Sequence, residues 1–183
     1  KNIREIYKDV EIISFRSKKD NLEQIHPEYK IKQFFDIEEA FNEKPDITFI
    51  TNPTSLHMFY ATKAAENKSH IFIEKPISHN LDGVENLYDL CKKNNKICFV
   101  AFCMRFHPNI VKIKELLSKN TIGKVFYAKI NFGSYLPNWH PTKDYRKEYS
   151  ALKELGGGVT LTLIHEIDYA YWLFGKAKSI TAI

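Results

Sequence analysis

The sequence predicts an α/β chain built on a parallel sheet, followed by the opening of a second α/β unit. Three observations carry this. Short β-branched and aromatic segments alternate with amphipathic helical segments over residues 10–101. They recur at the spacing of βαβ units, whose right-handed crossovers lay strands parallel. Near residue 105 the pattern changes, which sets a first unit at 1–104 and a second at 105–183.

Element by element, residues 1–5 are charged and helix-like, and residues 10–15 form a strand. A short helix over Ile37–Asn42 precedes a strand at 46–50. Leu56, Tyr60, Ala61 and Ala64 fall at helical spacing before a strand at His70–Ile73. Leu81, Val84, Leu87, Tyr88 and Cys91 make the apolar stripe of the next helix. Residues 97–101 are a continuous apolar strand, as in a sheet covered on both faces. In the second unit a helix spans Pro108–Ser118, with proline in its first turn. Gly123 ends the following connection, and residues 125–132 alternate as a half-exposed strand does. Residues 135–150 are a loop rich in Trp, His, Tyr and Pro. Gly156-Gly157-Gly158 opens a helix that runs through Phe174 to a capping Gly175, and a strand starts at Lys178.

With 183 residues, 44% of them apolar and 27% charged, the chain has the composition of an ordinary globular protein. No run of 18 apolar residues suggests a membrane span. The net charge of +5 is mild, and no Lys/Arg block is interleaved with aromatics, so nucleic acid is not an expected partner. The cysteines are Cys91, Cys98 and Cys103, an odd number without a C-x-x-C pair. That suggests reduced thiols and a cytoplasmic protein rather than a disulfide framework or a zinc site. There is no initiator Met and no signal-peptide core, so the natural start is expected upstream of Lys1.

In parallel sheets ligands bind beyond the carboxyl ends of the strands. Those ends carry Arg16, Thr51-Asn52-Pro53, Glu74-Lys75-Pro76 and Cys103-Met104-Arg105. Lys75 at such a rim can hydrogen-bond a substrate hydroxyl or carbonyl, and Pro76 fixes the backbone, with a cis bond as one way of doing so. The same tripeptide also suits a surface lysine before a turn. His165 and Asp168 share a helix face, and histidine is the natural proton acceptor near neutral pH. A partly buried structural His–Asp pair is the other reading. No third ligand accompanies them, so a metal is not expected. Arg16 stands where dinucleotide folds contact the ribose. Residues 15–19 contain no acid, which favours a 2′-phosphate and hence NADP over NAD, although a charged turn would look the same. Trp139, His140, Tyr145 and Arg146 crowd one loop, for sugar recognition or for its own packing. The triple glycine lacks the context of a phosphate loop and signals close backbone approach.

Taken together, Thr51-Asn52-Pro53 with His57, Ile73-Glu74-Lys75-Pro76-Ile77-Ser78, Met104-Arg105-Phe106, and Leu155-Gly156-Gly157-Gly158 with His165-Glu166-Ile167-Asp168 resemble the Gfo/Idh/MocA oxidoreductases along nearly the whole chain. The stretch from Trp139-His140-Pro141 through Asp144-Tyr145-Arg146 to Tyr149-Ser150 is similar to a branch associated with bacterial surface-sugar biosynthesis. The resemblance implies a partial Rossmann domain followed by the start of an α/β domain with a mostly antiparallel sheet that mediates homo-oligomerisation. It implies hydride transfer between NAD(P) and a carbon of a sugar or nucleotide-sugar. Lys75 and His165 match the catalytic lysine and the acid/base. The cofactor would lie along Arg16, Ser17, Thr51, Asn52, Pro53, His57, Glu74, Lys75 and Arg105. Lys75, Arg105, Tyr145, Arg146, Asp168 and His165 would face the substrate.

Two departures matter. No carboxylate stands one turn before His165, where Leu161 and Thr162 occur, so Asp168 is a candidate to orient it. The family's first strand and G-x-G-x-x-G loop are not in the sequence, so these residues alone are expected to bind dinucleotide poorly. A non-catalytic Rossmann-fold ligand sensor or partner-binding protein, and redox-assisted glycoside cleavage, are the rival readings.

Overall fold

The computed structural model describes residues 2–17 and 27–182. A short helix α1 (Asn2–Ile6) leads to strand β1 (Ile12–Phe15), strand β2 (Ile31–Phe34) and helix α2 (Ile37–Asn42). Then follow β3 (Ile47–Ile50), α3 (His57–Glu66), β4 (His70–Ile73), α4 (Val84–Lys93) and β5 (Cys98–Val100). The second part holds α5 (Pro108–Ser118), α6 (Val159–Thr162) and α7 (Ile164–Phe174), with 3₁₀ turns between residues 136 and 155. Among the described residues no helix is long and apolar enough to cross a membrane.

All strands pair in parallel, but in two sheets rather than the single one expected: β1 with β2, and β3-β4-β5. β4 is central, so its alternate side chains face opposite sides. Ile71 (2% exposed) and Ile73 (0%) pack with Ile50, Ala61, Ala64, Ala65, Leu87 and Cys91 under α3 and α4. Three alanines on α3 let that helix lie close to the sheet. Burying each isoleucine contributes about 1.5–3 kcal/mol.

Phe49, Phe72 and Phe99 form a ladder on the opposite face, with centroids 5.1 and 5.4 Å apart. Phe49 remains 50% exposed and Phe99 40%. Among the described residues, therefore, the apolar run at 97–101 does not mark a sheet covered on both sides.

Several local devices follow from sequence. Asp36 caps α2, accepting from the amides of Glu38 and Glu39 at 2.8 and 3.0 Å, worth about 1 kcal/mol. The expected stripe of the next helix is corrected at two places. Leu81 lies ahead of α4 and is 83% exposed, and Tyr88 is 64% exposed, whereas Leu87 and Cys91 are buried.

The expected helix from Gly158 to Phe174 is broken at Leu163 into α6 and α7. The expected strands at 125–132 and from Lys178 are not formed: residues 124–135 carry no regular structure, and Phe126 and Tyr127 are 86% and 80% exposed. A strand exists only as one side of a hydrogen-bonded ladder, and no described segment pairs with either stretch. Lys18 and Lys19 of the basic turn, and Ile183 of the last strand, lie outside the described residues.

Candidate active site

The parallel register sets Ile50 beside Ile73 and Ile73 beside Val100, so β3, β4 and β5 end on one edge. The loops leaving that edge carry Thr51-Asn52-Pro53, Glu74-Lys75-Pro76 and the 3₁₀ turn Cys103–Phe106. His57, at the start of α3, ties two of them together. It is 1% exposed, and its ring nitrogens lie 2.8 Å from the Pro76 carbonyl and 2.9 Å from the Asn52 carbonyl. His57, expected as a cofactor contact, has both ring nitrogens hydrogen-bonded to the backbone of these two loops.

The Lys75–Pro76 bond is cis. The break between α6 and α7 frees carbonyls that an unbroken helix would use, and the half-buried Lys75 donates its Nζ to Thr162 O at 2.5 Å. That bond joins the two parts of the chain. The Thr162 hydroxyl is buried without a partner.

The first turn of α7 brings in His165. Its Nδ1 is buried and unpartnered, while its Nε2 faces the Cys103 thiol at 3.8 Å. Phe102 meets the ring edge-on at 6.3 Å. Burial first, and the Lys75 ammonium second, hold the imidazole below its ordinary range, against weaker pulls from Glu166, Asp168 and Glu74. His165 therefore stands ready as an uncharged base at neutral pH.

Asp168 does not orient His165. Both its oxygens accept from Arg105, from Nε at 2.8 Å and from Nη2 at 2.6 Å. The guanidinium also lies 5.7 Å from the Phe102 ring and 6.0 Å from that of Trp172. Arg105, expected at cofactor and substrate, and Asp168, expected at substrate, are thus paired with each other.

Tyr145 and Arg146 lie in a 3₁₀ turn where Asp144 Oδ1 accepts from Arg146 Nε at 3.0 Å, and no described bond links them to Lys75 or His165. Arg16 follows β1, its amide donating to Phe34 O at 3.0 Å, and Ser17 beside it is exposed. Thr51 and Glu74 are exposed at the strand-end edge.

The triple glycine is a docking point, as its sequence context indicated. A Cβ on Gly157 would stand 2.3 Å from Tyr149 O, and one on Gly156 2.8 Å from Thr54 Cβ. Sequence reasoning missed Cys103 as the neighbour of His165; its only signal was a thiol at a strand-end rim. It also missed the Thr162 carbonyl, which no side-chain pattern announces.

A family model described as "Oxidoreductase family, NAD-binding Rossmann fold" matches residues 3–102, and one for the "GFO/IDH/MocA C-terminal domain" matches residues 110–183. The chain belongs to the Gfo/Idh/MocA oxidoreductase family. Its relatives include scyllo-inositol 2-dehydrogenase (NAD(+)) of Bacillus subtilis, 31% identical over 86% of this chain and 44% of the relative. Myo-inositol 2-dehydrogenase of Thermotoga maritima is 28% identical over 87% of this chain and 46% of the relative. The WlbA dehydrogenase of Bordetella pertussis, solved with NADH and UDP-GlcNAcA, shares the fold: TM-score 0.71, 16% identity, 90% of this chain and 47% of that one. The chain thus spans about half the length of the relatives it matches.

Proposed function

We propose that the complete protein is an NAD(P)-dependent dehydrogenase acting on a hydroxyl-bearing carbon of a sugar or nucleotide-sugar. The observation that carries this reading is the meeting of Lys75 and His165 at the carboxyl edge of the sheet. One comes from the first unit and one from the second, and the imidazole is held uncharged. Relatives named for inositols, and one solved with a nucleotide-sugar, agree with a polyhydroxylated substrate.

The edge suits a dinucleotide. Asn52 Oδ1 is buried there without a partner, and Thr51, Pro53 and Glu74 stand alongside. These residues and Arg16 would hold the cofactor, which when bound supplies the hydride acceptor or donor. The pyrophosphate cradle is not among these 183 residues. The separation of β1 from β3 agrees with a further strand between them that would carry it.

In the oxidising direction His165 Nε2 takes the hydroxyl proton, and the Lys75 ammonium, held by Thr162 O, steadies the developing negative charge on oxygen. A role in bacterial surface-sugar synthesis, homo-oligomerisation and a cytoplasmic location complete the proposal. The second reading, a ligand sensor, draws on one observation: among the described residues no carboxylate is hydrogen-bonded to the Lys75 ammonium or the His165 ring, the one carboxylate bond at Lys75 running from its backbone amide to Glu74.

Kinetics of the full-length protein decide between them. Lys75→Ala should lower kcat by about 10²-fold or more, with cofactor affinity little changed. Running the assay with NAD and NADP tests whether Arg16 selects the 2′-phosphate. Cofactor binding with no turnover of inositols or nucleotide-sugars would leave the sensor reading standing.

A further inference from the structure

Of the three cysteines, two sit in the first unit's core. Cys91 is 5% exposed, and the Cys98 thiol beside it is pushed up to about 11, mainly by burial. Neither is a practical nucleophile. Cys103 is exposed, and its Sγ lies 3.8 Å from His165 Nε2. The imidazole has little choice of partner: Nδ1 is buried, and Phe102 fixes the ring edge-on. Two buried polar atoms, His165 Nδ1 and the hydroxyl of Thr162 (9% exposed), still lack partners. An exposed thiol thus meets a base on which the Lys75 ammonium also acts, and a thiol beside a histidine is an arrangement that makes cysteines reactive.

We propose that Cys103 is a modification site, a thiol that His165 deprotonates and a hydroperoxide oxidises to the sulfenic acid, and that this oxidation takes His165 out of service. The thiol proton passes to Nε2. The sulfur attacks one peroxide oxygen and the O–O bond breaks. Sulfur gives up two electrons, which reduce the peroxide, and the departing hydroxide or alkoxide takes the proton back from His165. The product oxygen stands between the imidazole and any substrate hydroxyl. The burial and the Lys75 ammonium that keep His165 uncharged suit it to the first step; Glu166, Asp168 and Glu74 oppose them more weakly.

The switching of activity rests on the dehydrogenase reading, whereas the thiol chemistry does not. The test therefore reads the thiol. Full-length protein is treated with hydrogen peroxide and dimedone, or with iodoacetamide alone, and adducts are quantified site by site by peptide mass spectrometry. Cys103 should label roughly tenfold faster or more than Cys91 and Cys98. His165→Gln should slow labelling at Cys103 severalfold, and Lys75→Met should slow it to a lesser degree. Circular dichroism shows whether each variant is folded. Should His165→Gln fail to fold, the pH dependence of wild-type labelling takes its place, and a Cys103 rate that follows the titration of an ordinary free thiol would overturn the proposal. Labelling spread evenly over the three cysteines, or unchanged in a folded His165→Gln, would overturn it as well. Peroxide loss of turnover that Cys103→Ser removes would join the chemistry to regulation. Labelling without loss of turnover would overturn the regulatory half alone.

Discussion

At the scale of the residue, His165 is the group whose chemistry is most tightly set by its surroundings. Burial and the nearby Lys75 ammonium both disfavour its charged form. In the unfolded chain neither acts, so folding gains from the neutral imidazole. That gain is full above the ordinary value of 6.5 and is lost as pH falls through it toward the lowered folded value, because there the unfolded state binds more protons. Lys75→Met removes one of the two causes and leaves burial, the larger one. The His165 titration, followed by its Cε1 proton resonance, should move up toward its ordinary value without reaching it. The acidic limb of a turnover profile should move the same way. A titration unchanged in Lys75→Met would show that burial alone sets it.

At the scale of the element, the turn at residues 156–158 shows how glycine lets two backbones meet. Gly157 donates to Leu152 O at 2.9 Å, and Gly158 to Ser150 O at 2.9 Å. A methyl group on Gly157 would run into the Tyr149 and Ser150 carbonyls at 2.3 and 2.7 Å, both rigid backbone. Gly157→Ala should cost about 1–3 kcal/mol in urea unfolding. Gly133→Ala, with nothing within 4 Å and an ordinary φ, should be close to neutral. Equal effects at the two sites would disprove the docking role.

The elements also show what a sequence conveys. His70–Ile73 and Pro108–Ser118 were legible to the residue, because apolar periodicity and an N-terminal proline are local signals. Strand β2 was missed because Lys32 and Gln33 interrupt its apolar run; it pairs only with β1. Residues 125–132 have the alternation of a strand without a partner. Pairing depends on distant chain, which periodicity does not report.

At the scale of the molecule, the candidate site is made by contacts between distant positions. Lys75 reaches a carbonyl 87 positions away, and Arg105 a carboxylate 63 positions away. The strand-end rule located the rim from sequence, and the family motifs named its lysine and histidine. What neither conveyed was who holds whom: Asp168 was expected beside His165 and stands against Arg105. That pairing has a consequence for how α7 is held against the 3₁₀ turn at Cys103–Phe106. Asp168 keeps 7% of its side chain exposed and Arg105 36%, so the pair is partly desolvated and bidentate. Asp168→Ala leaves the guanidinium without its acceptor. It should lower stability by about 1–3 kcal/mol, less than the ~3–5 of a fully buried pair because solvent reaches Arg105. Arg105→Ala should cost a similar amount by stranding the carboxylate. The double variant should cost less than the sum, with a coupling of roughly 1 kcal/mol or more. Urea midpoints at constant m-value measure all three. Strict additivity would mean that the two charges do not hold α7 to that turn, and that α7, with His165 on it, is fixed by its apolar contacts alone.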